Sequence, residues 1–263
     1  MKGRGKVNKR MKKVIITGGP TNEPIDEVMK ITNMSTGSLS KALAGYFLDA
    51  GFEVSLIINN SVDTESLTAK ENAENLEVIY VETTQEMLRA LQVQSMAGKT
   101  DAVIHAAAVG DYKADYTFLL DDLAKYLWPL FEKGEIKTEE ELLTAMLRAD
   151  EYKIDNSSKI SSYQKNLTVK LGLTPKIISR LREWYPESLL VGCKLLENVS
   201  KEELFEVATR LCNKNNMDYI LANDLADLRD GKPARYLVNK DGFTGTTLEN
   251  PSDIFEFVCE KLQ

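Results

Sequence analysis

Short apolar runs alternate with amphipathic stretches along most of the chain. Residues 13–17, KVIIT, form a β-branched run typical of a strand buried on both faces of a sheet. Residues 39–50 repeat apolar positions at helical spacing and stop at Gly51. The same alternation predicts strands over 53–58, 76–81 and 101–106 and a helix over 85–96. It indicates right-handed βαβ crossovers and a mostly parallel sheet.

The pattern breaks between Tyr112 and Lys159. Residues 118–131 and 139–147 are amphipathic and predicted to be helical, with Pro129 and Gly134 between them, so we expect residues 113–158 to form an insertion or lid. The alternation then resumes with strand 167–171, a helix beginning at Pro175, strand 189–194, helix 201–213, strand 219–223, a hairpin over 234–249 with its turn at Asp241-Gly242, and a helix from Ser252.

These elements predict a doubly wound, Rossmann-like αβα fold of three layers, with a helical insertion and a C-terminal β-hairpin. We assign residues 11–263 to one domain and expect its ligands at the carboxyl ends of the strands. Residues 1–10, MKGRGKVNKR, are basic and polar. We interpret them as a leader or an added segment, expected to be disordered.

Composition limits the partners. The chain has 263 residues, 43% of them hydrophobic, and a net charge of -7, which argues against a nucleic-acid partner because polyanion binding needs clustered Lys and Arg. Its three cysteines form no C-x-x-C pair, as expected for reduced thiols in the cytoplasm. No apolar run reaches the about 18 residues that cross a bilayer. We expect a soluble cytoplasmic protein.

The glycine turn after the first strand does not fit a dinucleotide-binding loop. Gly18-Gly19-Pro20 lacks the G-x-G-x-x-G spacing and does not lead directly into a helix, and Asn59-Asn60 replaces the acidic residue expected after the second strand. A nicotinamide- or nucleotide-sugar-dependent Rossmann enzyme is therefore only an alternative. Tyr236 and Lys240 have the spacing of a reductase pair, but they fall in the predicted hairpin, where that spacing carries no meaning.

The next helix begins with a group of small polar residues, Asn33, Ser35, Thr36, Gly37 and Ser38. Their hydroxyl and backbone donors, together with the helix dipole, suit a phosphate or a developing acyl charge. An ordinary Ser/Thr helix cap is the alternative. His105, the only histidine, lies at a strand end, and we interpret it as a packed, neutral imidazole.

Four blocks of the sequence carry a family resemblance: ITGGPTNEPIDEVMKITNMSTG at 16–37, HAAAVGDYK at 105–113, KISS at 159–162 followed by LTVKLGLTPKII at 167–178, and YILANDL at 219–225. In this order they resemble the motifs of phosphopantothenate-cysteine ligases, also called phosphopantothenoylcysteine synthetases. The resemblance covers nearly all of the chain after Met11.

The resemblance implies a two-step ligation in coenzyme A biosynthesis. The carboxylate of 4′-phosphopantothenate attacks the α-phosphate of a nucleoside triphosphate, and the amine of L-cysteine then displaces the nucleotide from the acyl-nucleotidylate. CTP is favoured over ATP as co-substrate, with Mg²⁺ present; the metal ligands stay unassigned. A homodimer is expected, in which the insertion of one subunit can cover the other's site. A non-catalytic binding module remains a further alternative.

Residue roles follow by position. Asn33 and Lys159 match catalytic positions: the Asn33 amide would donate to the oxyanion and the Lys159 ammonium would neutralise phosphate charge. Ser35, Thr36 and Gly37, with Asn33, match the acyl-phosphate site. The nucleotide-binding positions are Gly18, Gly19, Ala106, Ala107, Ala108, Asp111, Pro175, Lys176, Ile177, Ile178, Cys193, Lys194 and Lys214, with Thr174 as a possible N-cap of the helix.

Two features bear on the form of the enzyme. Cys193 stands where the family usually has Phe beside the base, and Lys194-Leu195 resembles the eukaryotic form, so the choice of base stays open. Nothing like a flavin decarboxylase precedes Met11, so we expect the stand-alone form without that second activity.

Overall fold

Continuous β-branched runs form the parallel core of a computed structural model that describes residues 10–263. The strands, in chain order, are β1 Lys13–Gly18, β2 Asn22–Pro24, β3 Lys30–Thr32, β4 Glu53–Asn59, β5 Leu76–Val81, β6 Ala102–His105, β7 Tyr112–Leu119, β8 Lys153–Ile154, β9 Leu167–Leu173, β10 Leu189–Leu196, β11 Tyr219–Asp224, β12 Arg235–Asn239 and β13 Gly242–Leu248.

The helices are α1 Ser38–Asp49, α2 Glu65–Thr68, α3 Thr84–Met96, α4 Leu120–Glu132, α5 Glu139–Met146, α6 Ile178–Trp184, α7 Lys201–Lys214, α8 Leu225–Arg229 and α9 Pro251–Lys261. The chain divides into two units. The larger takes in residues 10–21, Met34–Val109 and Lys176–Gln263, and the smaller Asn22–Asn33 and Gly110–Pro175.

The larger unit contains the main sheet, with strand order β13-β12-β11-β10-β6-β1-β4-β5 within the described residues. The strands from β11 to β5 are parallel, and β12 and β13 form the antiparallel C-terminal hairpin. Among the parallel strands this is the doubly wound order, in which β1 and β6 are neighbours at the switch point. The carboxyl ends of β1 and β6 therefore form one edge of a crevice.

Helices cover both faces of this sheet. α1 and α9 pack on one face, around Val14, Ile16, Phe47, Ile254 and Val258. The opposite face is covered by α3, α6 and α7, whose apolar residues pack with Ile15 and Val103. The prediction of a mostly parallel αβα fold with a C-terminal hairpin is confirmed. Tyr236 lies in β12 and Lys240 in the following turn, so they share no helix face.

A buried polar contact joins β1 to β6 at the switch point. The Thr17 hydroxyl lies 2.8 Å from Nδ1 of His105 and accepts a hydrogen bond from the Ala107 amide at 3.3 Å. Burial lowers the pKa of His105 to about 4, so the imidazole is neutral at pH 7. This agrees with the predicted packed imidazole, and the contact fixes the start of the loop that follows β6.

The smaller unit is built on an antiparallel sheet with strand order β8-β7-β9, and on the β2–β3 hairpin. The rings of Phe118 and Tyr152 pack edge to face with their centroids 5.2 Å apart, in a cluster with Leu123. The predicted helix over 118–131 is therefore wrong at its start, because Phe118 and Leu119 end β7 and α4 begins at Leu120. α4 continues through Pro129 to Glu132.

Strand 167–171 was expected in the main sheet, but β9 instead pairs antiparallel with β7 in the smaller unit. Its sequence explains the difference: Leu167, Val169 and Leu171 alternate with Thr168 and Lys170, as in strands with two unlike faces. The central strands of the main parallel sheet instead have apolar runs such as Val14-Ile15-Ile16 and Ala102-Val103-Ile104. The smaller unit thus includes more residues than the predicted insertion 113–158, and it contains strands as well as helices.

The start of α6 and the N-terminal segment also bear on the predictions. The helix expected from Pro175 begins at Ile178, and Thr174 does not cap it, because its hydroxyl donates to the Gly110 carbonyl at 2.5 Å. Residues 1–9 of the predicted leader lie outside the described residues. Arg10 is described, and its guanidinium lies 2.6 Å from the Asp101 carboxylate.

Gly18→Ala should destabilise the larger unit. A Cβ at Gly18 would lie 2.3 Å from Cβ of buried Ser40 in α1, so the helix would have to move away from the sheet. We expect a loss of roughly 2 kcal/mol in the free energy of unfolding, measured by urea denaturation.

Gly45→Ala is the matched control, because a Cβ there meets Leu67 at an ordinary 3.5 Å and alanine favours the helix. It should be neutral or stabilising by up to about 1 kcal/mol. Equal effects of the two substitutions would contradict the close approach at Gly18.

Candidate functional site

The loops that follow β1 and β6 are joined by backbone hydrogen bonds. The Gly19 carbonyl accepts from the Ala108 amide at 2.9 Å, and the Thr21 amide donates to the Ala108 carbonyl at 3.4 Å. The small, half-buried residues Ala106, Ala107 and Ala108 follow directly after β6. A ligand can therefore approach the backbone closely at this edge of the sheet.

The N-terminus of α1 lies beside the same loops. Its N-cap is Gly37, in the left-handed conformation at φ 70°, so the N-cap residue has no side chain that could accept from the first turn. The N-cap residue of α1 is thus a glycine, whereas α3, α5 and α7 each have a Ser or Thr at that position. The first turn of α1 also contains no acidic residue, so its amides and the helix dipole remain suited to an anion.

Two glycines allow this arrangement. Gly19 has φ +74°, and a Cβ on Gly37 would lie 3.3 Å from the Gly19 nitrogen and 2.9 Å from Cγ2 of Val62. The backbones of Gly19 and Gly37 therefore lie close together against Val62. A side chain at either glycine would prevent this approach. Val62 was not predicted as part of the site, and its apolar side chain gives no chemical signal in the sequence.

Hydroxyl groups complete the start of α1. The Ser35 hydroxyl accepts from the Gly37 amide at 3.4 Å, and the Thr36 hydroxyl accepts from the Ser38 amide at the same distance. Thr36 also donates to the Ser38 hydroxyl at 3.1 Å. The predicted acyl-phosphate residues Ser35, Thr36 and Gly37 are thus brought together in the larger unit.

Strand β10 presents Cys193 and Lys194 on opposite faces of the sheet. Cys193 packs with the cluster beneath α1 and α9, and burial raises its pKa to about 11 although Arg235 acts in the opposite direction. Its thiol is therefore neutral, and unsuited to act as a nucleophile. Lys194 is half-buried and forms no ion pair with another residue of 10–263, so its charge is available to an anion.

The start of α6 is mostly a packing element. Ile177 is 1% exposed within the apolar cluster of α3, α6 and α7. Ile178 packs over Gly192, where an added Cβ would lie 3.3 Å from Cδ1 of Ile178. Of these predicted nucleotide-binding residues, only Lys176 has an exposed side chain. Ile177 would therefore contact a nucleotide through its backbone alone, whereas the side chain of Ile178 is half-buried.

Lys214 is placed away from the other predicted residues of the larger unit. α7 returns from the carboxyl end of β10 to the amino end of β11, and Lys214 is its last residue. Near this end the Asp218 amide donates to the Leu190 carbonyl at the start of β10. Lys214 thus lies at the amino edge of the sheet, so we do not keep it among the candidate site residues.

Asn33, Lys159, Asp111 and Pro175 belong to the smaller unit. Asn33 follows β3 directly, and its side chain and those of Lys159 and Asp111 are exposed. The Asp111 carbonyl accepts from the Thr174 amide at 3.1 Å, which joins the chain at Asp111 to the residue before Pro175.

Asp26 is a residue of this unit that sequence reasoning missed. Its carboxylate accepts hydrogen bonds from the amides of Met29, Ile160 and Val28, which lower its pKa in that order of importance. An Asp at the start of a tight turn between two short strands was the available signal.

Neither a metal site nor a membrane segment is apparent in residues 10–263. No group of three or more His, Cys, Asp or Glu side chains is arranged there to hold a metal ion. No helix in the same part of the chain has both the length and the apolar character needed to span a bilayer.

Several known proteins to which this chain is similar are named for pantothenate metabolism or coenzyme A biosynthesis. A family profile described as DNA/pantothenate metabolism flavoprotein, C-terminal domain, matches residues 9–118. The coenzyme A biosynthesis bifunctional protein CoaBC of Thermococcus kodakarensis is 30% identical over 230 residues, which cover 88% of this chain and 45% of that protein. The chain thus spans about half the length of the curated relatives that it matches.

Solved structures cover nearly the whole chain. The DNA/pantothenate metabolism flavoprotein from Streptococcus pneumoniae is 30% identical, with a TM-score of 0.73 and coverage of 97% of this chain and 99% of that one. A mutant of Cab2 in complex with phosphopantothenate-cysteine shares the fold, with a TM-score of 0.64 at 18% identity, over 95% of this chain and 86% of that one. The chain therefore belongs to the DNA/pantothenate metabolism flavoprotein family, as a counterpart of its C-terminal domain.

Proposed function

We propose that the protein is a phosphopantothenate-cysteine ligase, which joins 4′-phosphopantothenate to L-cysteine through an acyl-nucleotidylate. The observation that carries this proposal is the α1 N-terminus beside Gly19, which has a glycine as its N-cap and no acidic residue in its first turn, within a family whose relatives are named for coenzyme A biosynthesis. A carboxylate is a poor electrophile until it is converted to a mixed anhydride. An enzyme for this reaction has mainly to position anions and to stabilise the charge that develops on them.

The two steps balance without a redox reagent. In the first, a carboxylate oxygen of 4′-phosphopantothenate attacks the α-phosphorus, the bond to the bridging oxygen breaks, and pyrophosphate leaves. In the second, the cysteine amine attacks the acyl carbon, and the nucleoside monophosphate leaves with the C–O bonding electrons. The cysteine nitrogen loses two protons as it passes from ammonium to amide, one before it attacks and one when the nucleotide leaves, and both pass to solvent.

The larger unit would bind the nucleotide. Gly18, Gly19 and the Ala106–Ala108 loop allow a ligand close to the backbone, and the amides at the start of α1 would donate to phosphate oxygens. Lys194 would add a positive charge, since it forms no ion pair with the described residues. Cys193 would contact the base as a neutral, apolar group.

The smaller unit would supply the groups that act in ligation. We assign the Asn33 amide as a donor to the oxyanion that forms when cysteine attacks the acyl carbon. The Lys159 ammonium, on an exposed and long side chain, would neutralise phosphate charge in the same step.

We favour CTP over ATP as the co-substrate, and a homodimer as the assembly. Mg²⁺ would accompany the triphosphate and neutralise part of its charge. Because residues 10–263 contain no cluster of metal-ligating side chains, phosphates and water would provide most of its ligands. No step above depends on that ion.

The proposed reaction is tested by incubating the protein with 4′-phosphopantothenate, L-cysteine, Mg²⁺ and either CTP or ATP. We expect pyrophosphate release that depends on 4′-phosphopantothenate and is faster with CTP. Release with neither triphosphate would contradict the ligase assignment, and hydride transfer from a nicotinamide cofactor would favour a Rossmann oxidoreductase instead.

Asn33→Ala should separate the two steps. Without the amide donor, the second step should slow by about 100-fold while the acyl-nucleotidylate still forms, because an oxyanion donor acts only once the acyl carbon is attacked. Single-turnover quenching, with chromatography of the acyl-nucleotidylate and the amide product, measures both steps.

Gln92→Ala provides the control, since it removes an exposed amide side chain from α3. Both steps should proceed at the wild-type rate in that variant. Normal ligation by the Asn33→Ala protein would show that the oxyanion assignment is wrong.

A further inference from the structure

The turn between β2 and β3 is built around the Asp26 carboxylate. Oδ1 accepts from the amides of Val28 and Met29 at 2.7 and 2.6 Å, and the Met29 carbonyl accepts from the Ile25 amide at 2.8 Å. These bonds close the turn and set the pairing of the two short strands. The position of Asn33, directly after β3, is set by the same hairpin.

The second oxygen of Asp26 makes a contact that is distant in sequence. Oδ2 accepts from the Ile160 amide at 2.9 Å, although the two residues are 134 positions apart. Both residues are 7% exposed. A buried carboxylate between three amides is held in its ionised form, because backbone hydrogen bonds stabilise the charge.

A second hydrogen bond joins the same two segments. The Asn156 side-chain amide donates to the Ile25 carbonyl at 2.8 Å. The segment 156–160 is therefore fixed to the hairpin at both of its ends, while Lys159 between them stays exposed. This segment contains no helix or strand of its own, so these two bonds supply the order that regular structure gives elsewhere.

We propose that Asp26 is a positioning residue, which holds the Lys159 segment and the hairpin that carries Asn33 in one fixed arrangement. The proposal rests on the proposed function for the roles of Lys159 and Asn33, but the hydrogen bonds on which it depends do not. Asp26 touches no reacting atom in this scheme. It acts by keeping an otherwise irregular segment in place.

Asp26→Asn tests the cross-link specifically. The asparagine oxygen can still accept from the amides of its own turn, whereas the side-chain NH₂ now faces the amide of Ile160 and cannot accept from it. Asp155→Asn is the matched control, because Asp155 lies in the same region and, among residues 10–263, hydrogen-bonds to the nearby Ser157 and not to the β2–β3 hairpin.

Hydrogen–deuterium exchange gives the first measurement. In the Asp26→Asn protein, peptides that contain Ile160 should exchange about tenfold faster or more, since the amide loses its buried acceptor. The same peptides should be unchanged in Asp155→Asn. Unchanged exchange at Ile160 in Asp26→Asn would overturn the proposal, whatever reaction the protein catalyses.

The rate of ligation gives the second measurement. Asp26→Asn should slow the cysteine step about 10- to 100-fold and leave formation of the acyl-nucleotidylate within about threefold of wild type. The double variant Asp26→Asn/Lys159→Met should be no slower than Lys159→Met alone. Once the Lys159 ammonium is absent, the loss of its positioning by Asp26 has no further effect.

The outcomes separate the two proposals. Additive losses in the double variant would show that Asp26 does not act through Lys159. If the wild-type protein releases no pyrophosphate, the ligase function fails, while the exchange at Ile160 still decides whether Asp26 holds the segment.

Discussion

The close approach of α1 to the end of β1 is the constraint on which the candidate site depends. Because Gly18 has no side chain, the Ser40 hydroxyl reaches the Thr17 carbonyl at 2.9 Å, inside the packed core. Glycine at the next position, and at Gly37, then lets two backbones converge against Val62. A helix N-terminus with a glycine as its N-cap is thereby placed beside the switch point of the sheet, where doubly wound folds bind ligands.

The chain does not pass directly from β1 to α1. It leaves the larger unit after Thr21, forms the β2–β3 hairpin of the smaller unit and returns at Met34. This path explains why a dinucleotide-binding loop is absent although the strand order is that of a Rossmann fold. The residues between the glycine turn and the helix build part of a second unit, in which Asp26 and Asn33 lie.

The parallel sheet could be predicted because continuous apolar runs and helical periodicity are local patterns. The smaller unit could not, since β7 and β9 pair across about 50 intervening residues and their alternating faces resemble neither pattern. The small polar residues near Gly37 were found from their position at a helix start, and the role of Asn33 through the family motifs. The place of Lys214 at the amino edge of the sheet follows from the direction of α7, which its motif does not show, and Asp26 was missed because its partner Ile160 is distant in sequence.

The most direct test of the nucleotide site is the position of the triphosphate in a crystal of the protein with CTP and Mg²⁺. We predict phosphate oxygens within hydrogen-bond distance of the amides at the start of α1, beside Gly19 and the Ala106–Ala108 loop. A triphosphate bound at the amino edge of the sheet, where Lys214 lies, would contradict this assignment.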